Sequence, residues 1–262
     1  MKNSVRWSVI GALLGGLLGL LVFAPATWLA QALESSSKGH LRITDARGSV
    51  WRGSGVLVLT GGAGSRDASA LPGRVRWVVG VQGLGLLIKA QQDCCINGEL
   101  QALLKPGWGR SELSLAGANG WLARWPAAWL AGLGTPWNTL QLGGSLRMSA
   151  RDFRLESVQG RWRQLGQMDL ELSQLTSRLS TVEPLGSYRF SISADPASAG
   201  VSQLTLSTLD GALLLNGQGS WSAGKARFLG DAAAAPGFDA ALNNLLNIIG
   251  RRQGARSVIS IG

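Results

Sequence analysis

Beyond Glu34 the chain is written almost throughout in short runs that alternate apolar and polar residues, with Gly, Asn, Asp or Pro between one run and the next. A period of two places apolar side chains on one face of a strand and polar ones on the other, whereas a helix repeats every 3.6 residues. The runs fall at 56–59, 74–79, 86–89, 98–103 and 111–115, and again at 140–142, 145–149, 152–156, 161–163, 168–172, 188–192, 204–206, 212–215 and 225–229. One run about every 8 to 12 residues predicts an antiparallel meander with one dry and one wet face. Glycine supports this: it fills 37 of 262 positions, roughly twice the usual share, and without a collagen-like period it marks turns. The composition argues against a helical bundle or coiled coil.

The amino-terminal segment reads differently. No charged residue occurs between Arg6 and Glu34, and a bilayer-spanning helix needs about 20 apolar residues. Residues 8–31 are therefore expected to form a single transmembrane helix. Lys2 and Arg6 precede it and Glu34 with three serines follows, which leaves residues 1–7 in the cytoplasm and exports residues 32–262. Trp7 and Trp28 suit the two membrane interfaces. The alternative is a cleaved signal peptide, since Ala24-Pro25-Ala26 resembles a small-x-small cleavage site. The apolar run past Pro25 favours a retained anchor.

Two segments read as helical. Trp121, Trp125 and Trp129 recur every four residues behind Asn119, a candidate cap, and Pro126 predicts a broken helix or two short turns whose tryptophans pack over the sheet. Residues 238–249 place Leu242, Leu245, Leu246 and Ile249 on one face, with Gly250 as the stop. Residues 257–261 form a last strand. The tryptophan segment lies between two sets of strands, so two lobes meeting near residues 116–139 are compatible with the pattern.

The chemistry inventory is mostly negative. With one histidine and two cysteines, the chain lacks the ligands of a zinc site or a disulfide framework and the bases of most histidine chemistry. His40, Asp45 and nearby serines allow a Ser/His/Asp set on paper, but Gly53-Ser54-Gly55 is no nucleophile elbow, and a solvated loop histidine is the better reading. Residues 61–65 lack the lysine of a phosphate loop and read as a turn. No spacing of Asp and Glu selects a carboxylate pair. Cys94 and Cys95 are adjacent, which leaves unreactive thiols, a vicinal disulfide or a bond to another chain open. A net charge of +10 attracts anionic partners. Arg110, Arg124, Arg147, Arg151, Arg154, Arg161 and Arg163 could form a stripe, but export argues against nucleic acid and leaves a wet sheet face or anionic lipid.

Three stretches together resemble a known family. They are the anchor, the turn Gly48-Ser49-Val50-Trp51-Arg52-Gly53, and the ending in which Leu245-Leu246-Asn247-Ile248-Ile249-Gly250-Arg251-Arg252 leads to Ser257-Val258-Ile259-Ser260-Ile261-Gly262. In this order they resemble type II secretion system protein N, also called general secretion pathway protein N. The resemblance implies a bitopic inner-membrane component of the bacterial secretion apparatus, without catalytic residues or cofactors. Its mainly β periplasmic domain would contact the secretin or the inner-membrane platform. The family is also similar to AsmA-like proteins, which implies a curved, open antiparallel sheet with an apolar concave face and, as an alternative role, lipid binding or transfer. The residues expected at contact surfaces are Trp51, Trp121, Trp125, Trp129, Arg251 and Arg252.

Overall fold

The structure, a computed structural model, describes residues 2–116, 120–195, 197, 198, 200–222 and 225–262, with side chains from residue 10 onward. The side chains of Lys2, Arg6 and Trp7, and all of Asn119, thus lie outside the described residues. In chain order the elements are α1 (Lys2–Val22), α2 (Ala26–Ser36), β1 (Leu41–Gly48), β2 (Arg52–Thr60), β3 (Ala68–Ala70), β4 (Val75–Gln82), β5 (Gly85–Gln91), β6 (Leu100–Gly107), β7 (Arg110–Leu115) and β8 (Ala123–Pro126). A 3-10 turn (Ala127–Leu133) and α3 (Trp137–Leu140) follow. Then come β9 (Leu142–Val158), β10 (Arg161–Ser177), β11 (Gly186–Ala194), β12 (Val201–Gly211), β13 (Leu213–Ser222), β14 (Lys225–Ala234), α4 (Asp239–Ile249), β15 (Arg251–Gln253) and β16 (Arg256–Ile261).

Among the described residues sixteen strands join one sheet in the order β1-β2-β4-β5-β6-β7-β9-β10-β11-β12-β13-β14-β16-β15, with β3 beside β2 and β8 beside β9. Every pairing is antiparallel, because the connections are short and return the chain next to where it came from. β7 pairs directly with β9, so the sheet runs without a break past residues 116–139.

Runs separate in the sequence merge in the fold. Residues 145–149 and 152–156 both belong to β9, and 161–163 and 168–172 both belong to β10, each strand 17 residues long. What separates the runs is a bulge, where the register shifts between Leu165 and Gln167 opposite Asp152. Asp152 and Gly166 take positive φ there (48° and 73°), and a Cβ on Gly166 would lie 2.5 Å from the Arg151 carbonyl oxygen. A second shift between Ser173 and Thr176 faces Gly144. Bulges bend strands and raise their twist, and the sheet is curved.

The registers align one face across the molecule. Leu57 stands beside Ile43, Trp77 beside Ala90, Ile88 beside Ala102, and Leu113 beside both Leu104 and Leu155. Beyond the bulge Leu170 lies between Met148 and Phe190, and Phe190 opposite Leu206. The other face carries Arg, Glu, Ser and Gln. Further along, Gly217 and Gly219 leave a furrow in the apolar face. The rings of Phe190 and Phe228 lean across it to 6.2 Å between centroids, although their strands are three spacings apart, about 14 Å.

Two buried clusters hold this face. In the first, Leu242, Leu245 and Leu246 of α4 pack on Leu213, Ala232, Leu185, Tyr188 and Leu175. The spacing that predicted this helix is therefore also what closes one end of the sheet. In the second, Trp129 packs on Leu71 and Cys95, with Leu57, Leu59 and Trp125 around them.

The expected helix over 8–31 is divided. α1 ends at Val22, Pro25 precedes α2, and α2 lies along β1 with Glu34 and Arg42 2.9 Å apart. Proline lacks the N–H that a continuing helix needs and steers the residue before it away from helical angles, so the chain breaks there. Among the described residues no helix is long and apolar enough to cross a membrane.

Truncating Leu245 to Ala should cost about 2 to 5 kcal/mol of stability in chemical denaturation. Ile248→Ala, on the exposed side of the same helix, should cost about 1 kcal/mol or less. Equal losses would contradict the assignment of α4 as the cover.

Candidate interaction surfaces

The turn at residues 48–53 is a joint. Gly48 has a φ of 88°, which glycine adopts without strain, and the turn brings Trp51 under the end of α1. The Trp51 indole N–H donates to the Leu21 carbonyl at 2.8 Å, one of the carbonyls that a helix end leaves unpaired. The Val50 amide donates to the Ala24 carbonyl at 2.9 Å, and Pro25 bridges to Ser49. Trp77 completes the joint by donating from its indole to the Val50 carbonyl at 3.1 Å. Sequence reasoning did not single out Trp77. The signal was Gly53, whose missing side chain makes the room: a Cβ there would meet the Trp77 ring at 2.5 Å.

The tryptophan segment is helical only after Pro126. Residues 123–126 are strand β8, in which Trp125 lies opposite Leu146, and only the following residues coil into the 3-10 turn. β9 offers an open edge below β7, and pairing there satisfies backbone groups that a proline-broken helix would leave free. The three tryptophans thus part company. Trp129 is buried and donates to the Ser69 carbonyl at 3.0 Å, while Trp125 and Trp121 are half-buried, Trp125 with its ring 5.8 Å from that of Trp129 and Trp121 with the Arg124 guanidinium over its ring at 5.3 Å. Cys94 and Cys95 form a vicinal disulfide, with Cys95 buried beneath Trp129.

The polar face of β9, β10 and β11 carries cross-strand charge pairs. Glu171 stands between Arg147 and Arg189, at 3.7 and 2.6 Å, and Arg151 lies 3.7 Å from Asp169. Together with Trp121 these side chains line an open groove of about 520 Å³. Higher on β9, Glu156 is only 6% exposed and directly opposite Glu112. The hydrogen bond from Arg163 at 2.9 Å and the nearby Arg110 offset that like-charge contact and hold the Glu156 carboxyl below the usual carboxylate range.

Arg251 and Arg252 lie on β15, the last strand of the sheet, three residues long. A short, arginine-bearing border strand is how sheets discourage unwanted pairing, and at the opposite border α2 lies against β1. The catalytic set written from sequence does not assemble. The His40 Nδ1 lies 3.2 Å from the Thr60 carbonyl, while Asp45 is engaged by Arg74 and Arg47. Among the described residues no group of His, Cys, Asp and Glu could hold a metal ion.

A helix bolted by a tryptophan to one hairpin of a curved sheet, apolar on one face and ion-paired on the other, defines an open one-sheet protein carried on a helix. The model of the family described as type II secretion system (T2SS), protein N, matches residues 39–259. The chain belongs to that family, and is thereby a component of type II secretion machinery. No curated protein and no solved structure matches it.

Trp51→Phe keeps a ring but removes the donor to Leu21. A loss of about 1 kcal/mol at the joint should speed hydrogen exchange at the Val50 and Val79 amides roughly fivefold in the full chain, with the β12 amides unchanged. Unchanged exchange at all of these would contradict the joint.

Tyr188, the chain's single tyrosine, is buried and donates to the Leu213 carbonyl at 2.9 Å. Burial, with the Asp210 charge second, pushes its phenol well above the ordinary tyrosine value. The folded chain keeps a proton that the unfolded chain releases near pH 10, so stability is complete below that pH and falls as pH rises above it. Phenolate absorbance should therefore appear only together with loss of near-UV dichroism. A reversible titration near pH 10 in the folded protein would contradict the burial.

Proposed function

We propose that the protein is a non-catalytic, single-pass component of the bacterial inner membrane. Residues 1–7 face the cytoplasm, a tether lies within residues 8–31, and residues 32–262 form a periplasmic β domain that contacts the secretin or the inner-membrane platform. The observation that supports this reading is the joint at Trp51, which fixes the apolar helix α1 to the sheet, as a domain held beside a membrane requires. The two border strands are guarded, so contact is expected through the faces. Trp121, half-buried, is the tryptophan of its segment that lines the arginine-bearing groove. The groove adds guanidinium donors that an acidic partner segment can use. The stretches before and after residues 116–139 act as two lobes of this one surface, each with its own buried cluster.

A second reading rests on the apolar face, which stays continuous by register from β4 to β14 and only half-buried over much of its length. Such a face suits acyl chains, and makes the protein a lipid-binding or lipid-transfer module.

In-cell photocrosslinking separates the two. A photoreactive residue at Trp121 should capture a secretin or platform subunit under the first reading. A phospholipid with a photoreactive acyl chain should label peptides of β9 to β13 under the second, and α1 alone under the first. Absence of protein adducts from Trp121, together with lipid adducts on the sheet, would overturn the first reading in favour of the second.

A further inference from the structure

Because neighbouring strands alternate in direction, the turns after β1, β4, β6 and β9 all lie on one rim of the sheet. The first of these is the Trp51 turn, where α1 joins, so α1 leaves the molecule from this rim. The next three are formed by glycines at positive φ, Gly83, Gly109 and Gly160. Each nevertheless carries a large apolar residue in or beside it. Leu84 is 95% exposed, Trp108 is fully exposed and Trp162 is 48% exposed. None of them is needed to make its turn, since glycine does that, and Leu84 and Trp108 pack on nothing among the described residues. Successive turns are two strand spacings apart, roughly 10 Å, and the Gln159 amide donates to the Gly109 carbonyl at 2.8 Å, which holds the last two level.

We infer that this rim rests on an anionic lipid surface, with Leu84, Trp108 and Trp162 seated in the interface. Three observations choose lipid as the occupant. The apolar residues of α1 stand exposed beyond the same rim, so whatever covers α1 meets the turns as well. Tryptophan and leucine at loop tips are the side chains that favour the boundary between headgroups and hydrocarbon. Arg52, Arg110 and Arg161 stand in these turns, and the four turns contain no carboxylate, which suits anionic headgroups. The rim would then lie along the bilayer as a line of contacts, with the sheet rising from it, in place of a domain hanging from α1 alone. This rests on the proposed membrane tether.

The test uses the full chain in vesicles of phosphatidylcholine and phosphatidylglycerol. Among the described residues no cysteine is free, so a single introduced thiol takes an environment-sensitive dye. The sites are Trp108→Cys on the rim, Leu209→Cys at the β12–β13 turn on the opposite rim, and Leu17→Cys in α1. Spin-labelled lipids should quench the dye at positions 17 and 108 several-fold more than at 209, and pure phosphatidylcholine should weaken quenching at 108 while leaving 17 unchanged. Quenching at 17 with a water-like dye at 108 would overturn the seat while the tether stands. A water-like dye at 17 would overturn the tether and the seat with it. Equal quenching at 108 in both lipid mixtures would overturn the anionic preference.

Discussion

Antiparallel register is the constraint on which everything else in the molecule depends. Side chains alternate with a period of two, so a shift of one residue at any pairing would carry the apolar set of the next strand to the wet face. The bulge where Asp152 faces Gly166 matters for this reason. It adds one residue to β9 and none to β10, so that Leu155 on one side of the bulge and Met148 on the other serve one surface. Curvature and continuity thus have a common source in a few positions of β9 and β10.

That surface explains the distribution of cover. Apolar area is left unfilled over much of the middle of the sheet, while α4 at one end and the 3-10 turn at the other bury enough of it to hold the shape. On the polar side, exposed ion pairs add little stability. Their arrangement on β9, β10 and β11 fixes which guanidinium groups stay at the surface, and it places them beside Trp121. The chain can accordingly offer three chemically distinct contacts, an apolar trough, a basic groove and a rim of turns, from a single sheet.

Much of this was legible in the residues. Alternation identified the strands and their antiparallel order, and the spacing of Leu242, Leu245 and Leu246 located α4. Local pattern failed where partners far along the chain decide the outcome. The tryptophans four apart read as a helix face, but the free edge of β9 drew residues 123–126 into the sheet. The bulge at Gly166 read as a gap between strands, since a positive-φ glycine looks the same in a bulge as in a turn. The apolar run at the amino terminus read as one helix because its apolar character continues past Pro25, where the backbone in fact breaks. At the contact surfaces, Trp51 was visible as a motif residue. Its bond to Leu21, the part played by Trp77 and the buried Glu156 required the fold.

The claim that most needs testing is the unbroken sheet itself. Hydrogen–deuterium exchange on the full chain in lipid vesicles, resolved by residue, addresses it at the seam between β7 and β9. The account predicts slow exchange for the paired amides of residues 110–114 and 154–158, comparable to those within β11 and β12, and protection continuing on both sides. Fast exchange confined to that seam, with two separately protected halves, would contradict one continuous sheet and the shared apolar face built on it.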